Sequence, residues 1–321
     1  MYKRGGAGVE TQLSREIENA QNQAMYDRYC KNLMANRMIL AHILKECVEE
    51  FKDCDVKYIA DNCIEGEPQI SELSVHRGDK PEKILGMNTE DKTMDEGTVL
   101  FDIRFIAVLP QTGENVRLII NIEAQNKYNP GYSLIRRGLY YCCRLISAQY
   151  ETEFTKENYD DIKKVYSIWV CTNTPNYVKN TITKYCITEK NIVGNAKADP
   201  KKYDILNLIM LCLDKDSKDA QNKDNGILKL LRVLLSGKID AQKKKIILKD
   251  DFDVKMSVEA EKELNYMCNL GAGLVEQGKD IEQLDNLKKL IKNMNITFAQ
   301  AADLLEIPAK DRERLADNIY D

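Results

Sequence analysis

The chain has 321 residues and a formal net charge of −4, with ten cysteines and two histidines. That length holds one large α/β domain with an appendage, or two small domains, and needs no metal or disulfide staple to fold. The mildly negative charge excludes a protein that coats nucleic acid by bulk charge, although a local basic groove stays open. Residues 1–24 form an N-terminal stretch, opening on a polar Gly-Gly-Ala-Gly segment and expected to be mobile or loosely helical. From Met25 to Phe51, Ile39, Leu40, Ile43, Leu44, Cys47, Val48 and Phe51 recur at the three-and-four spacing of one buried helix face. Residues 77–97 are polar and punctuated by Gly and Pro, and read as a loop.

The period then changes to two. GTVLFDIRFIAVLP (97–110) and VRLIINIEAQNK (116–127) are strand-like, with QTGEN between them as a hairpin turn centred on Thr112 and Gly113. SLIRRGLYYCCRLISAQ (133–149) reads as a helix and VYSIWVCTN (165–173) as a short buried strand. A strand pair is expected around 180–188 and 203–213, then a charged loop over 214–226 and a helix over 226–237. From about Val258 to the end the pattern is helical, which sets a boundary near residue 255. No CxxC pair occurs, and only His42 and His76 could join the thiols as ligands, so no zinc site is expected. The cysteines sit mostly in apolar runs, as reduced, buried thiols of a cytoplasmic protein would. The N-terminal residues lack the apolar core of a secretion signal, and no apolar run approaches the roughly 20 residues of a membrane span.

The hairpin carries the chemistry. Centred between Thr112 and Gly113, it places Asp102 directly opposite Glu123, on one face, and the period of two adds Gln125 to that face. A slip of one residue would separate the acids. Two adjacent carboxylates repel unless water or a cation relieves them. An oxygen-rich pair beside an amide suits Mg²⁺, which takes one or two carboxylates together with phosphate and water. The competing reading is a solvated polar patch on a half-exposed sheet.

At these residues the chain resembles the PD-(D/E)XK nuclease superfamily, and within it the PD-(D/E)XK nuclease family transposases, kin of the recombination-promoting nucleases. The ordered series carries the resemblance: "LFDIRF", then "NIEAQN" ending the next strand, then the Arg- and Tyr-bearing helix "SLIRRGLYYCCRLISAQ", then "VYSIWVC". The resemblance implies an α/β, restriction-endonuclease-like core, a mixed central sheet flanked by helices, over residues 25–255. A C-terminal helical region, 256–321, follows it. It implies a Mg²⁺- or Mn²⁺-dependent endonuclease that hydrolyses DNA phosphodiesters in transposition or recombination. Asp102 and Glu123 match the metal-binding acids, and Gln125 stands where the superfamily usually has Lys. Arg136 and Tyr140 match the Arg and Tyr of the following helix as phosphate or DNA contacts, with Arg137 and Tyr141 as the one-step alternative. Such families also often use an acid from the first helix, for which Glu46, Glu49 and Glu50 are candidates. Gln orients a water but brings no charge, so a catalytically inactive module that binds DNA or protein is the rival reading.

Other features are weaker. Lys243, Lys244, Lys245 and Lys249 form a basic run, read as a solvated surface in preference to a phosphate track. Trp169 lies inside an apolar strand and is expected in the core. "ITFAQAADLLEIP" resembles the first part of a helix-turn-helix, but the segment after it holds three basic and four acidic residues. It is therefore read as a packing element, or one that joins copies of the chain into a homo-oligomer, ahead of a DNA reader.

Overall fold

The computed structural model describes residues 12–70, 90–93, 97–100, 102–109, 116–214 and 226–317. The elements in chain order are α1 (Gln12–Met34), α2 (Arg37–Cys47), a single turn α3 (Val56–Tyr58), β1 (Ile64–Ile70), β2 (Glu90–Thr93), β3 (Gly97–Leu100), β4 (Ile103–Leu109) and β5 (Val116–Lys127). Then come α4 (Leu134–Ser147), β6 (Val165–Asn173), β7 (Thr181–Cys186), β8 (Leu206–Cys212), α5 (Gly226–Leu235), α6 (Ala241–Phe252), α7 (Val258–Met294), α8 (Phe298–Leu304) and α9 (Ala309–Asp317). The helical pattern over Met25 to Phe51 is two helices. Asn36 breaks it and caps α2, accepting the Met38 N–H through its side chain at 3.0 Å. The expected strand over 97–110 is also two, parted at Asp102. Within the segment read as a loop, β2 pairs with β3 as a separate two-stranded ribbon.

Among the described residues, six strands form a mixed sheet in the order β1-β4-β5-β6-β8-β7. β4 and β5 are antiparallel, β6 runs parallel to both β5 and β8, and β7 returns antiparallel at the edge. The central strands are buried on both faces, which is why VYSIWVC and LNLIMLC are continuous apolar runs without alternation.

Alternation on β5 separates the two faces. Leu118, Ile120 and Ile122 enter the main core with α2, α5 and the inner side of α1, while Ile119 packs with Leu134, Tyr141, Cys142 and Leu145 of α4 on the other side. Trp169 is fully buried in that second layer. Helix α4 lies so close to the sheet that a Cβ on Gly138 would stand 2.5 Å from Leu208 Cδ1 and 3.2 Å from Trp169 Nε1. Only a residue without a side chain allows that approach.

A third, smaller core joins Leu287 of α7 to Ala301 and Ala302 of α8, Ile307, and Leu315 of α9. The first half of α7 belongs to the main core through Leu264, Met267 and Cys268. The division between cores therefore falls inside α7, beyond residue 255. The basic run lies on α6 and is not uniform. Lys244 is fully buried and donates to the Leu234 carbonyl at the end of α5 (2.8 Å), while Lys245 pairs with Glu261 (2.7 Å). Burial pulls the Lys244 pKa down. Among the described residues no helix is long and apolar enough to cross a membrane.

Candidate active site

The β4–β5 register pairs Ile103 with Ile122 and Leu109 with Val116. This is the symmetric register that the apolar alternation predicts; the turn itself, 111–115, lies outside the described residues. Asp102 and Glu123 come next in that register, but they do not form an ordinary ladder pair. The chain bends at Asp102, and the two acids interlock. The Asp102 N–H donates to Glu123 Oε1 (3.0 Å), and the Ala124 N–H donates to Asp102 Oδ2 (2.9 Å). Each carboxylate is thus held by a backbone N–H from the other side of the hairpin. Glu123 is only 5% exposed.

The positive charge beside them comes from α1. Lys31 Nζ lies 2.6 Å from Asp102 Oδ1, and both side chains are largely buried. The hairpin motif gives no hint of this residue, which is about seventy positions away in the chain. The available signal is helical phase: Lys31 precedes the buried Met34 by three, so it shares the inward face of α1.

Gln125 shares the Glu123 face, half-buried and beside Cys171 of β6. On α4 the helical phase separates the two open alternatives. Arg136 and Tyr140 are exposed, and Tyr140 accepts a hydrogen bond from Arg144 (3.3 Å). Arg137 and Tyr141 turn toward the sheet. Arg137 donates from Nη2 to the Tyr141 hydroxyl (2.7 Å) and from Nη1 to the Tyr132 hydroxyl (2.8 Å), and stacks over Trp169 at 5.3 Å. Burial opposes the charge on Arg137, but the Tyr141 hydrogen bond and the nearby Glu123 carboxylate outweigh it and raise its pKa. Burial also raises the Tyr141 pKa, with the charges of Glu123 and Asp102 adding to it, so the phenol keeps its proton at neutral pH.

The first-helix acids are not brought to this cluster. Glu46 and Glu49 are exposed, Glu49 beside Lys52. Glu50 accepts the Tyr166 O–H (2.6 Å) and pairs with Lys164 (2.9 Å), which also pairs with Asp204 (2.6 Å). Tyr166 is level with Ile120 and in the main core, so Glu50 lies on the opposite face of the sheet from Glu123, satisfied by its own cation.

Asp102 and Glu123 present hard carboxylate oxygens on rigid backbone, with the amide of Gln125 on the same face. That donor set fits a Mg²⁺-type ion completed by water and a phosphate oxygen, as such ions prefer. Among the described residues no group of three or more His, Cys, Asp or Glu is gathered for a metal, so a fully protein-enclosed cage is not formed there.

A mixed sheet flanked by helices, with paired acids at its antiparallel hairpin, defines an α/β protein of the restriction-endonuclease-like class. The chain belongs to the PD-(D/E)XK nuclease family transposases: the model for that family matches residues 82–269, more than half of the 321. No curated protein and no solved structure matches. The family gives a nuclease-like role linked to transposition, and nucleases of this kind generally use divalent metals and act on DNA.

Proposed function

We propose that the protein is a divalent-metal-dependent endonuclease that hydrolyses DNA phosphodiesters during transposition or recombination. The interlocked Asp102–Glu123 pair, backed by Lys31 and Arg137, carries this reading. Asp102 and Glu123 would hold Mg²⁺ or Mn²⁺, which when bound lowers the pKa of water and stabilises charge on the phosphate. Gln125, in place of the usual Lys, orients the attacking water by hydrogen bonding. Lys31 supplies the cation that Gln125 lacks, from another element. Arg137, held by two tyrosine hydroxyls, presents its planar fork to a phosphate oxygen. Tyr141 fixes that fork and stays neutral.

One observation favours the rival reading of a non-catalytic binding module. Both Asp102 oxygens are engaged, one by Lys31 and one by the Ala124 N–H, so a metal must share or displace Lys31. Nicking of supercoiled plasmid by the purified protein separates the two. The nuclease reading expects nicking with Mg²⁺ or Mn²⁺ and none with EDTA. A folded protein that never nicks with either metal would leave the binding module.

A further inference from the structure

Past Gln125 the chain leaves the sheet through Tyr128, Asn129, Pro130 and Gly131, the last at φ +104°, before Ser133 caps α4. A cleft of about 450 Å³ opens there, lined by Tyr128, Asn129, Tyr132, Ser133, Leu134 and Tyr177 among others. Its volume is within the about 300–1,000 Å³ of ordinary ligand sites. Tyr177 reaches it from the short turn after β6. The cleft thus lies outside the carboxyl ends of two parallel strands, where open α/β sheets generally bind ligands.

Its chemistry is specific. Among the described residues no charged side chain lines it, so that lining does not track a phosphate backbone. What it offers is phenol rings, with hydrogen-bonding groups on Asn129 and Ser133. Tyr132 is 53% exposed and Tyr177 77%; Arg137 lies over the Tyr132 ring at 5.9 Å, and Tyr177 is the more open of the two. Burial, and the neighbouring Cys212 and Tyr177, push the Tyr128 phenol up to about 12, so that ring is neutral. Neutral aromatic faces beside polar edges suit a planar heterocycle with donors and acceptors on its rim. A nucleobase inside a duplex has both faces covered by its stacking neighbours; only an unpaired base is available.

The cleft is joined to the acids by one side chain. Arg137 bonds Tyr132 on the cleft side and Tyr141 on the other, and the Glu123 carboxylate acts on both Arg137 and Tyr141. We propose that the cleft stacks an unpaired base of single-stranded DNA, next to the phosphate held at Asp102 and Glu123. Its position beside those acids rests on the nuclease reading; the binding itself does not. The substrate is then a single strand or a frayed end, and intact duplex is disfavoured.

Fluorescence anisotropy tests this in EDTA, with a fluorescein-labelled single strand of about 12 nucleotides and the duplex of the same sequence. The wild-type protein should bind the single strand more tightly. Tyr177→Ala and Tyr132→Ala should each weaken that binding by about 5- to 150-fold, while Tyr177→Phe, which keeps the ring, binds near wild type. The ratio between wild type and the alanine variants should hold as salt is raised, because no charge is removed. Tyr177 is largely exposed, so its variants fold even if Tyr132→Ala does not. Equal or tighter binding of duplex, or a folded Tyr177→Ala that binds the single strand like wild type, overturns the proposal. A protein that binds single strands through Tyr177 yet never nicks DNA refutes the nuclease reading and leaves the cleft standing. One that nicks but ignores Tyr177 does the reverse.

Discussion

Lys31 and Asp102 hold each other at 2.6 Å with side chains 9% and 16% exposed, so neither charge has much water to fall back on. Removing one member of such a pair strands the other. Lys31→Met should lower unfolding free energy by about 2–4 kcal/mol, read as an earlier urea midpoint. Adding Mg²⁺ or Mn²⁺ should recover more of that loss in the variant than it adds to wild type, since the ion supplies the missing charge. A second contrast concerns α4. Arg137→Ala should reduce cleavage on the order of 10²-fold, whereas Arg136→Ala, on the exposed side, stays near wild type in the same assay. The acid pair was legible in the sequence because the alternation on both strands admits one register. The choice between Arg136 and Arg137 was not, because two adjacent arginines followed by two adjacent tyrosines fit either phase. Helical phase turns Lys31 inward, but its partner is set by the packing of α1 against β5, which no local pattern encodes.

Among the elements, how closely α4 sits on the sheet sets where Arg137 and Tyr141 stand. Gly138→Ala gains up to about 1 kcal/mol of helix propensity but forces its methyl into Leu208, already fully buried. Overpacking of that kind costs about 1–3 kcal/mol. The net result should be a modest loss of thermal stability with a larger loss of cleavage, since Arg137 and Tyr141 move with the helix. Most elements followed from periodicity, and the exceptions have physical causes. β1, IEGEPQI, is an edge strand whose polar residues and glycine hide any alternation. α6 reads as a charge run because its buried residues include a lysine, Lys244, where the pattern calls for an apolar side chain. The long strand over 97–110 breaks at Asp102 because that residue uses its N–H and carboxylate to bind across to Glu123 and Ala124 instead of continuing the ladder.

Among the described residues, two large cores share the sheet and a small third one gathers the end of α7 with α8 and α9. Because Leu264, Met267 and Cys268 already anchor α7 in the main core, a chain ending after Met294 should keep the main unfolding transition. Urea unfolding curves of the full-length and shortened chains, followed by circular dichroism, check this. In the proposed function the hairpin acids carry out phosphodiester hydrolysis. The most direct measurement is the single-turnover nicking rate of Glu123→Gln beside wild type in Mg²⁺. The amide keeps the shape of the side chain and still accepts the Asp102 N–H, so the fold survives while the charge is gone. A fall of about 10²-fold or more is predicted; a folded variant that nicks at the wild-type rate would contradict the account.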